Sequence, residues 1–600
     1  MKRILLSVLI IVIAASCIYA ANLQSIYTTR DDVYRRVDAL CTRAGVIGPS
    51  TFSPVPARAL TMALDRIDRA ALSIEDRNEY DRLYSILTGE EYIFKDGYFT
   101  FDLNAGVNIG INLADYRDFD YANTRSDAPQ WDHRENTLVP YRYETGLLSF
   151  GLKMTFGDHI YIDGLMELKN RNQVMLDSTL AMLFTTVKDE GGNALTGISS
   201  EWPQRAGASV GNEYFNLILG RFPHSIGGGI TGNLLVGDNF NYQEVLNLSL
   251  MSNHFSYNIS ITRFDQQAAL PTAWYSEFTR SKFSGPQQFR VVHRFDINIL
   301  DRFRFALNLA TIYNSTYGLD FRFFYPFVVS HNYWNYSNDM ERHDYDEANN
   351  FMTFEFEWNI SRGLTFTGQL AVDQMQMPWE NMMDLPLAFG VMGNLKWSTS
   401  TTSGFLNGWI EAVYTNPYLY LNGKRTEKEL IGDRYQLVDS SIDYNLDYIV
   451  GYNMTYMEDY GYSGYIYGPD NIVFSIGAGY SDAEGLYEVG GNLMYKVQGS
   501  KGLRHRATSN TGFEIDMSDA VIEMDSEEFM KNIWSPSGGW HDAEHLVKLA
   551  TYGKFNFDAG NAGTLTVYTA LGGNLYFNYD HCHGDTEFQP QMLIGAKWVY

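Results

Sequence analysis

The chain has 600 residues, a formal net charge of -26 and an apolar fraction of only 45%. That charge argues against nucleic-acid binding, whose main affinity comes from Lys and Arg against phosphate. It argues equally against nonspecific adhesion to an anionic surface, while permitting divalent cations or cationic partners at acidic loops. With 52 Gly, 42 Tyr and 36 Phe, the composition suits strands, tight turns and interfacial rings better than a string of soluble domains.

Lys2 and Arg3 precede an apolar run from Ile4 to Ala15, and small residues follow at Ser16 and Ala20. Residues 1–20 are expected to be a signal peptide, although Ile18 is large for the usual cleavage site. Ala14-Ala15-Ser16-Cys17 also reads as a loose lipoprotein box with Cys17 as the lipidated residue. The run is short for a membrane span of about 20 apolar residues, and no later segment reaches that length.

Residues 21–94 are predicted to form a small periplasmic helical bundle. Val33, Val37, Leu40, Cys41 and Ala44 share one helical face, which Gly45 can end. Ser53-Pro54 reads as a cap and first-turn pair before the stripe Leu60, Ala63, Leu64 and Ile67. Ser73 with Asp76 resembles a capping box before Tyr80, Leu83, Tyr84 and Leu87. Three helices of this size need support. The bundle is expected to lean on a barrel rim, with a plug inside the lumen as the alternative. Cys41, on an apolar stripe, is expected to be a buried free thiol.

Beyond residue 95 the period changes. Leu148, Phe150, Leu152, Met154 and Phe156 alternate with Ser149, Gly151, Lys153 and Thr155. Phe303, Phe305, Leu307 and Leu309 alternate with Arg304, Ala306 and Asn308, and Phe354, Phe356 and Trp358 with Thr353, Glu355 and Glu357. Met592, Ile594, Ala596, Trp598 and Tyr600 share a face of the last segment. One face for lipid and one for water, repeated through an exported chain, predicts an all-β transmembrane fold over residues 95–600. The expected form is a closed antiparallel β-barrel of about 18 strands in the cell outer membrane. Outer-membrane lipid and the barrel assembly machinery are the partners such a fold implies. The charged stretches 114–137, 422–439 and 501–545 are expected to be extracellular loops, solvated or binding a ligand or cation.

Several patches admit a chemical and a structural reading. Arg221, at the end of a strand over 214–222, can fork onto an acidic sugar or a barrel carboxylate if it faces the lumen. The run Gly227–Gly229 permits a tight turn or close backbone approach, and no phosphate-cradling lysine follows it. Asn233 and Asn239 can hydrogen-bond a glycan or cap turns. Tyr325, Tyr333, Trp334 and Tyr336 flank His331 and Asn332 as a sugar platform or an aromatic girdle, and Trp379 near Asp373 admits the same two readings. Asp580, His581, Cys582, His583 and Asp585 form one polar cluster, in which a strand would put His581 and His583 on one face. His541, Asp542 and His545 give an i,i+4 histidine pair with Asp542 in place of the glutamate of a zinc-protease helix. Both clusters are read as surface chemistry, so no metal, no cofactor and no catalytic residue is expected.

The segment Leu219-Gly220-Arg221-Phe222-Pro223-His224-Ser225-Ile226-Gly227-Gly228-Gly229-Ile230-Thr231-Gly232-Asn233-Leu234-Leu235 resembles the most characteristic stretch of the capsule assembly Wzi family, with Ile226 where that family has tryptophan. Residues 24–88, Val372-Asp373-Gln374 with Pro386-Leu387-Ala388-Phe389-Gly390, and Tyr467-Gly468-Pro469-Asp470 resemble further parts of it. The resemblance implies a largely occluded 18-stranded barrel with a periplasmic helical bundle. It also implies a lectin-like role, holding capsular or exopolysaccharide at the cell surface without catalysis. The alternatives are a diffusion porin or substrate-selective channel, and an outer-membrane glycan or lipid hydrolase.

Overall fold

The computed structural model describes residues 23–88, 94–96, 99–115, 147–170, 178–181, 186–188, 194–196, 198–199, 205–240, 242–264, 287–315, 318–326, 348–374, 387–417, 419–420, 422–425, 428–431, 434–437, 442–445, 449–453, 458–499 and 534–600. A single large sheet dominates. Its long strands are β1 (Phe99–Asp115), β2 (Leu148–Phe156), β3 (Ile160–Asn170), β4 (Arg205–Gly211), β5 (Phe215–Phe222) and β6 (Gln243–Met251). They continue as β7 (Phe255–Phe264), β8 (Gln287–Ile299), β9 (Phe303–Ser315), β10 (Ala348–Ser361), β11 (Leu364–Gln374) and β12 (Ala388–Thr401). The last are β13 (Gly404–Thr415), β14 (Asn471–Asp482), β15 (Tyr487–Gln498), β16 (Glu544–Asp558), β17 (Thr564–Phe577) and β18 (Thr586–Val599).

Each of these strands pairs antiparallel with the next, and β18 returns to β1 through Trp598↔Val107 and Ile594↔Ile111, so the 18 strands close into a barrel. Closure leaves no long sheet edge, which hydrocarbon requires. Short turns such as 300–302 and 362–363 join strands at one end, and long connections join them at the other.

The predicted alternation is visible in the burial. Phe354, Phe356 and Trp358 point outward, while Thr353, Glu355 and Glu357 are buried inside. Ile594 and Trp598 of β18 are exposed on the outer wall, and Gln589 and Gln591 are buried within. Leu219, Ile410, Phe474, Leu549 and Leu571 carry the apolar exterior around the ring. Among the described residues no helix is long and apolar enough to cross a membrane.

Helices α1 (Asp32–Ala44), α2 (Ala57–Leu64) and α3 (Ile74–Thr88) precede the barrel. Gly45, at φ 82°, ends α1 by donating to the Cys41 carbonyl. Val37, Leu40, Cys41, Leu60, Leu64, Leu83 and Leu87 form their shared core, and Cys41 is a buried free thiol. Ser73 Oγ accepts from the Asp76 amide at 3.1 Å and donates to Asp76 Oδ2 at 3.0 Å, while Asp76 Oδ1 pairs with Arg43 at 2.6 Å. The expected cap at Ser53-Pro54 is corrected, because α2 starts only at Ala57. Phe52–Ser53 pairs with Ser225–Ile226 and Val55–Pro56 with Ile26–Tyr27, so that backbone is spent on extended pairing.

The helices do more than lean on a rim. At the short-turn end Lys396 of β12 reaches Asp38 at 2.7 Å, and Arg43 donates to Ser398 Oγ at 2.9 Å. Lys396 and Ser398 face the interior, so α1 seats in the barrel mouth. The chain after α1 runs deeper, where the Gly48 amide donates to Glu357 at 2.7 Å.

One segment wraps the outside. Residues 318–326 fold against the outer faces of β7, β8 and β9, where Phe323 stacks on Tyr313 at 4.4 Å over Ile259, Ile261, Phe289 and Val291. The strap also shelters a polar outward residue. His293 Nε2 donates to the Phe323 carbonyl at 2.6 Å, and its Nδ1 accepts from the Tyr257 hydroxyl at 2.8 Å.

Candidate functional site

A channel would keep its lumen wet. Here residues 223–240, which contain the glycine run, fold inward from the long-loop end between β5 and β6. Ile226, Leu234, Leu235, Val236 and Phe240 are all essentially inaccessible. They meet inward side chains of many strands: Val292, Ile312, Phe351, Ala371, Met392, Val413, Val473 and Leu546. Leu419, Tyr420 and Tyr465, from the two ends of the β13–β14 connection, complete the cluster. Burial of this many apolar side chains fixes the inserted loop as a plug.

Polar pins set its shape. Glu411, facing inward from β13, accepts from the amides of Ile230 at 2.7 Å and Thr231 at 2.8 Å, and from the Thr231 hydroxyl at 2.6 Å. Asn394 Nδ2 donates to the same carboxylate at 3.2 Å. The Tyr420 hydroxyl donates to the Leu234 carbonyl at 2.6 Å and accepts from the Tyr465 amide at 2.8 Å. Glycine is required where the loop doubles back: a Cβ on Gly229 would lie 1.8 Å from the Gly232 carbonyl oxygen.

Toward the short-turn end the interior is polar. Arg294, fully buried, bonds Asp296 at 2.8 Å and Glu355 at 2.9 Å, and donates to Thr51 Oγ1 at 2.8 Å. Arg304 holds Glu357 at 3.1 Å and donates to the Gly48 and Pro49 carbonyls at 2.6 and 2.8 Å. Each charge is paired and hydrogen-bonded, as burial demands. The N-terminal segment thereby ties the polar layer to the wall.

The residues singled out from sequence separate into three groups. Asn233 and Asn239 lie in the plug, and Asp373 stands on β11 beside it. Asn233 Oδ1 accepts from Gly229 N at 2.8 Å and Gln369 Nε2 at 2.7 Å, Asn239 Nδ2 donates to the Gly464 carbonyl at 2.7 Å, and Asp373 accepts from Tyr420 N at 2.7 Å. Arg221 and Tyr325 lie on the outer wall. The register puts Arg221 opposite Glu244, bonded at 2.8 Å, with its guanidinium 4.2 Å above the Tyr242 ring. Arg221 therefore takes the structural ion-pair role on the outer face, because Asn216, Ile218 and Phe222 are the buried inward positions of β5. Tyr325 is exposed on the strap. His331, Trp334 and Trp379 lie outside the described residues.

The histidine clusters lie at surface turns, as read, and neither the conditional strand face nor the zinc-protease helix forms. Residues 579–581 form a 3-10 turn, so His581 and His583 do not share a strand face. His541 and His545 are not on a helix: His545 is the second residue of β16 and stacks on Tyr495 with ring centroids 6.0 Å apart. Sequence reasoning passed over Glu411, Arg294, Tyr420 and Tyr465, and placed Glu355 only on a water-facing side. The Phe-Glu-Phe-Glu alternation at 354–357 was the one available signal, since it sets two acids on an inward face that needs cations.

No protein-family description matches the sequence, and no curated protein matches it. Solved structures do resemble it. Wzi of Escherichia coli, described as an outer-membrane protein involved in group 1 capsule assembly and as a carbohydrate-binding β-barrel, aligns with TM-score 0.52 and 12% identity over 95% of this chain and 99% of its own. The OccK3 (OpdO) structure of Pseudomonas aeruginosa aligns with TM-score 0.35 and 8% identity over 83% and 96%. The channel DcaP of Acinetobacter baumannii aligns with TM-score 0.32 and 8% identity over 85% and 100%. The resemblance to Wzi read from the sequence thus holds at the level of fold: the chain is an 18-stranded outer-membrane β-barrel similar in architecture to Wzi.

Proposed function

We propose that this barrel binds surface polysaccharide and retains it at the cell exterior, and does not conduct solutes. The observation that supports this reading is the filled lumen: an apolar plug above a paired polar layer, with α1 seated in the mouth beneath. A rigid barrel that is closed inside acts through its outward loops. Sugars offer C–H faces to rings and hydroxyl edges to amides, and repeated units on one polymer multiply weak contacts into useful avidity. Tyr325, His331, Trp334 and Trp379 are the proposed contacts, while Asn233, Asn239 and Asp373 serve by holding the plug that supports the loops.

The test is retention and binding together. Cells lacking the protein shed more surface polysaccharide, and purified detergent-folded protein binds polysaccharide isolated from the same strain. Trp334→Ala and Trp379→Ala weaken that binding. Unchanged shedding with no measurable binding rejects the retention role, and release of free sugars or fatty acids by the purified protein would make it a hydrolase.

A further inference from the structure

Two polar stretches that lie about forty residues apart in the sequence meet at the long-loop end of the barrel, the end that faces outward in outer-membrane barrels. One is the turn 539–543 before β16, and the other is 578–585 between β17 and β18. His541 and His583 lie face to face with ring centroids 4.0 Å apart and planes at 19°. Asp542 sits beside them, its Oδ1 2.7 Å from His541 Nδ1. One ligand atom from each of the three residues lies within 4.8 Å of the other two, and all three side chains are exposed.

We propose that His541, Asp542 and His583 form a divalent transition-metal site, of the class that takes Zn2+. Two imidazoles and a carboxylate are a donor set that suits a borderline ion far better than Ca2+ or Mg2+, which prefer oxygen alone. In a tetrahedral Zn2+ site the ligand atoms stand about 3.3 Å apart, given bonds of about 2.0–2.1 Å. Closing from 4.8 Å takes only rotation of exposed side chains. Three protein ligands leave a fourth position open to water or to a carboxylate from outside.

The backbone that carries these ligands is built across the two loops. Asn578 Nδ2 donates to the His541 carbonyl at 2.8 Å and the Ala543 carbonyl at 3.0 Å, and its Oδ1 accepts from Gly584 N at 2.9 Å. His581 Nδ1 donates to the Asp542 carbonyl at 3.2 Å. Ala543 is fully buried and Tyr576 and Tyr579 nearly so, which roots both loops in the barrel end. One asparagine therefore fixes both sides of the site without being a ligand, as a good metal scaffold does. Neither stretch alone is a site, which is why each looked like ordinary turn chemistry in the sequence.

The experiment uses tag-free full-length protein, folded in detergent and stripped with a chelator, then titrated with Zn2+ against a chromophoric chelator. One equivalent is expected to bind. His541→Ala and His583→Ala each weaken it about tenfold or more, and the double variant abolishes it. His254→Ala, at an exposed histidine of the opposite barrel end, leaves it unchanged. His541→Gln with His583→Gln repeats the test with similar side-chain shape, should the alanine forms fold poorly. X-ray absorption at the zinc edge is expected to show two imidazoles. Equal binding by wild type and double variant, or a zinc edge without imidazole, overturns the proposal.

Discussion

Replacing Glu411 with alanine separates the two forces that hold the plug. The carboxylate accepts four hydrogen bonds, from the Ile230 and Thr231 amides, the Thr231 hydroxyl and Asn394. Losing it orphans donors at roughly 1–3 kcal/mol apiece when they stay buried. The loop tip is half-buried at Ile230 and Thr231, so water reaches some of them, and the net loss is about 3 kcal/mol, or about a hundredfold in local opening. Against this stand Leu234, Leu235, Val236 and Phe240, each buried and worth roughly 1.5–3 kcal/mol, together about 6–12 kcal/mol. The apolar anchor wins, so the tip frays while the plug stays in place. In a Cys582→Ser background, Ile230→Cys is expected to react with a small maleimide about a hundredfold faster when Glu411→Ala is added, with no rise in bilayer conductance. Unchanged labelling would refute the pinning role of Glu411. A jump in conductance would refute the dominance of the apolar anchor.

Three further outcomes follow from the same geometry. Arg294→Leu strands Asp296 and Glu355 as buried carboxylates and is expected to cost about 3–5 kcal/mol, read as a lower temperature for the heat-induced gel shift of the folded barrel. Adding Asp296→Asn and Glu355→Gln recovers part of that loss. Burial pushes the Cys41 thiol well up, so maleimide is expected to label Cys582 on the folded protein and Cys41 only after unfolding, counted by mass spectrometry. Phe323→Ala removes the ring that seats the outer strap on Tyr313. The expected cost is about 3 kcal/mol, with faster proteolysis within 318–326.

The barrel was legible because the signal repeats. Period-two alternation in segments such as 303–309 and 353–358 reports which face meets lipid, and helix periodicity with Gly45 reports α1. The plug was illegible for a specific reason. A lumen is expected to be polar, yet Val292, Ile312, Val413, Val473 and Leu546 face inward and are apolar, because they pack against a loop that arrives from elsewhere in the chain. Local pattern cannot show that. The glycine run stood out, but its use in a close doubling-back needs the Gly232 carbonyl in view. The face of Arg221 depended on a register that only its pairing with Glu244 fixes. Convergence of His541 with His583 is likewise a property of two loops, not of either stretch.

The central claim is that the ring of 18 strands is filled, and single-channel recording in planar bilayers addresses it most directly. Folded, heat-modifiable protein is expected to insert without steady ion current. A stable open-channel current from the intact chain would contradict the account.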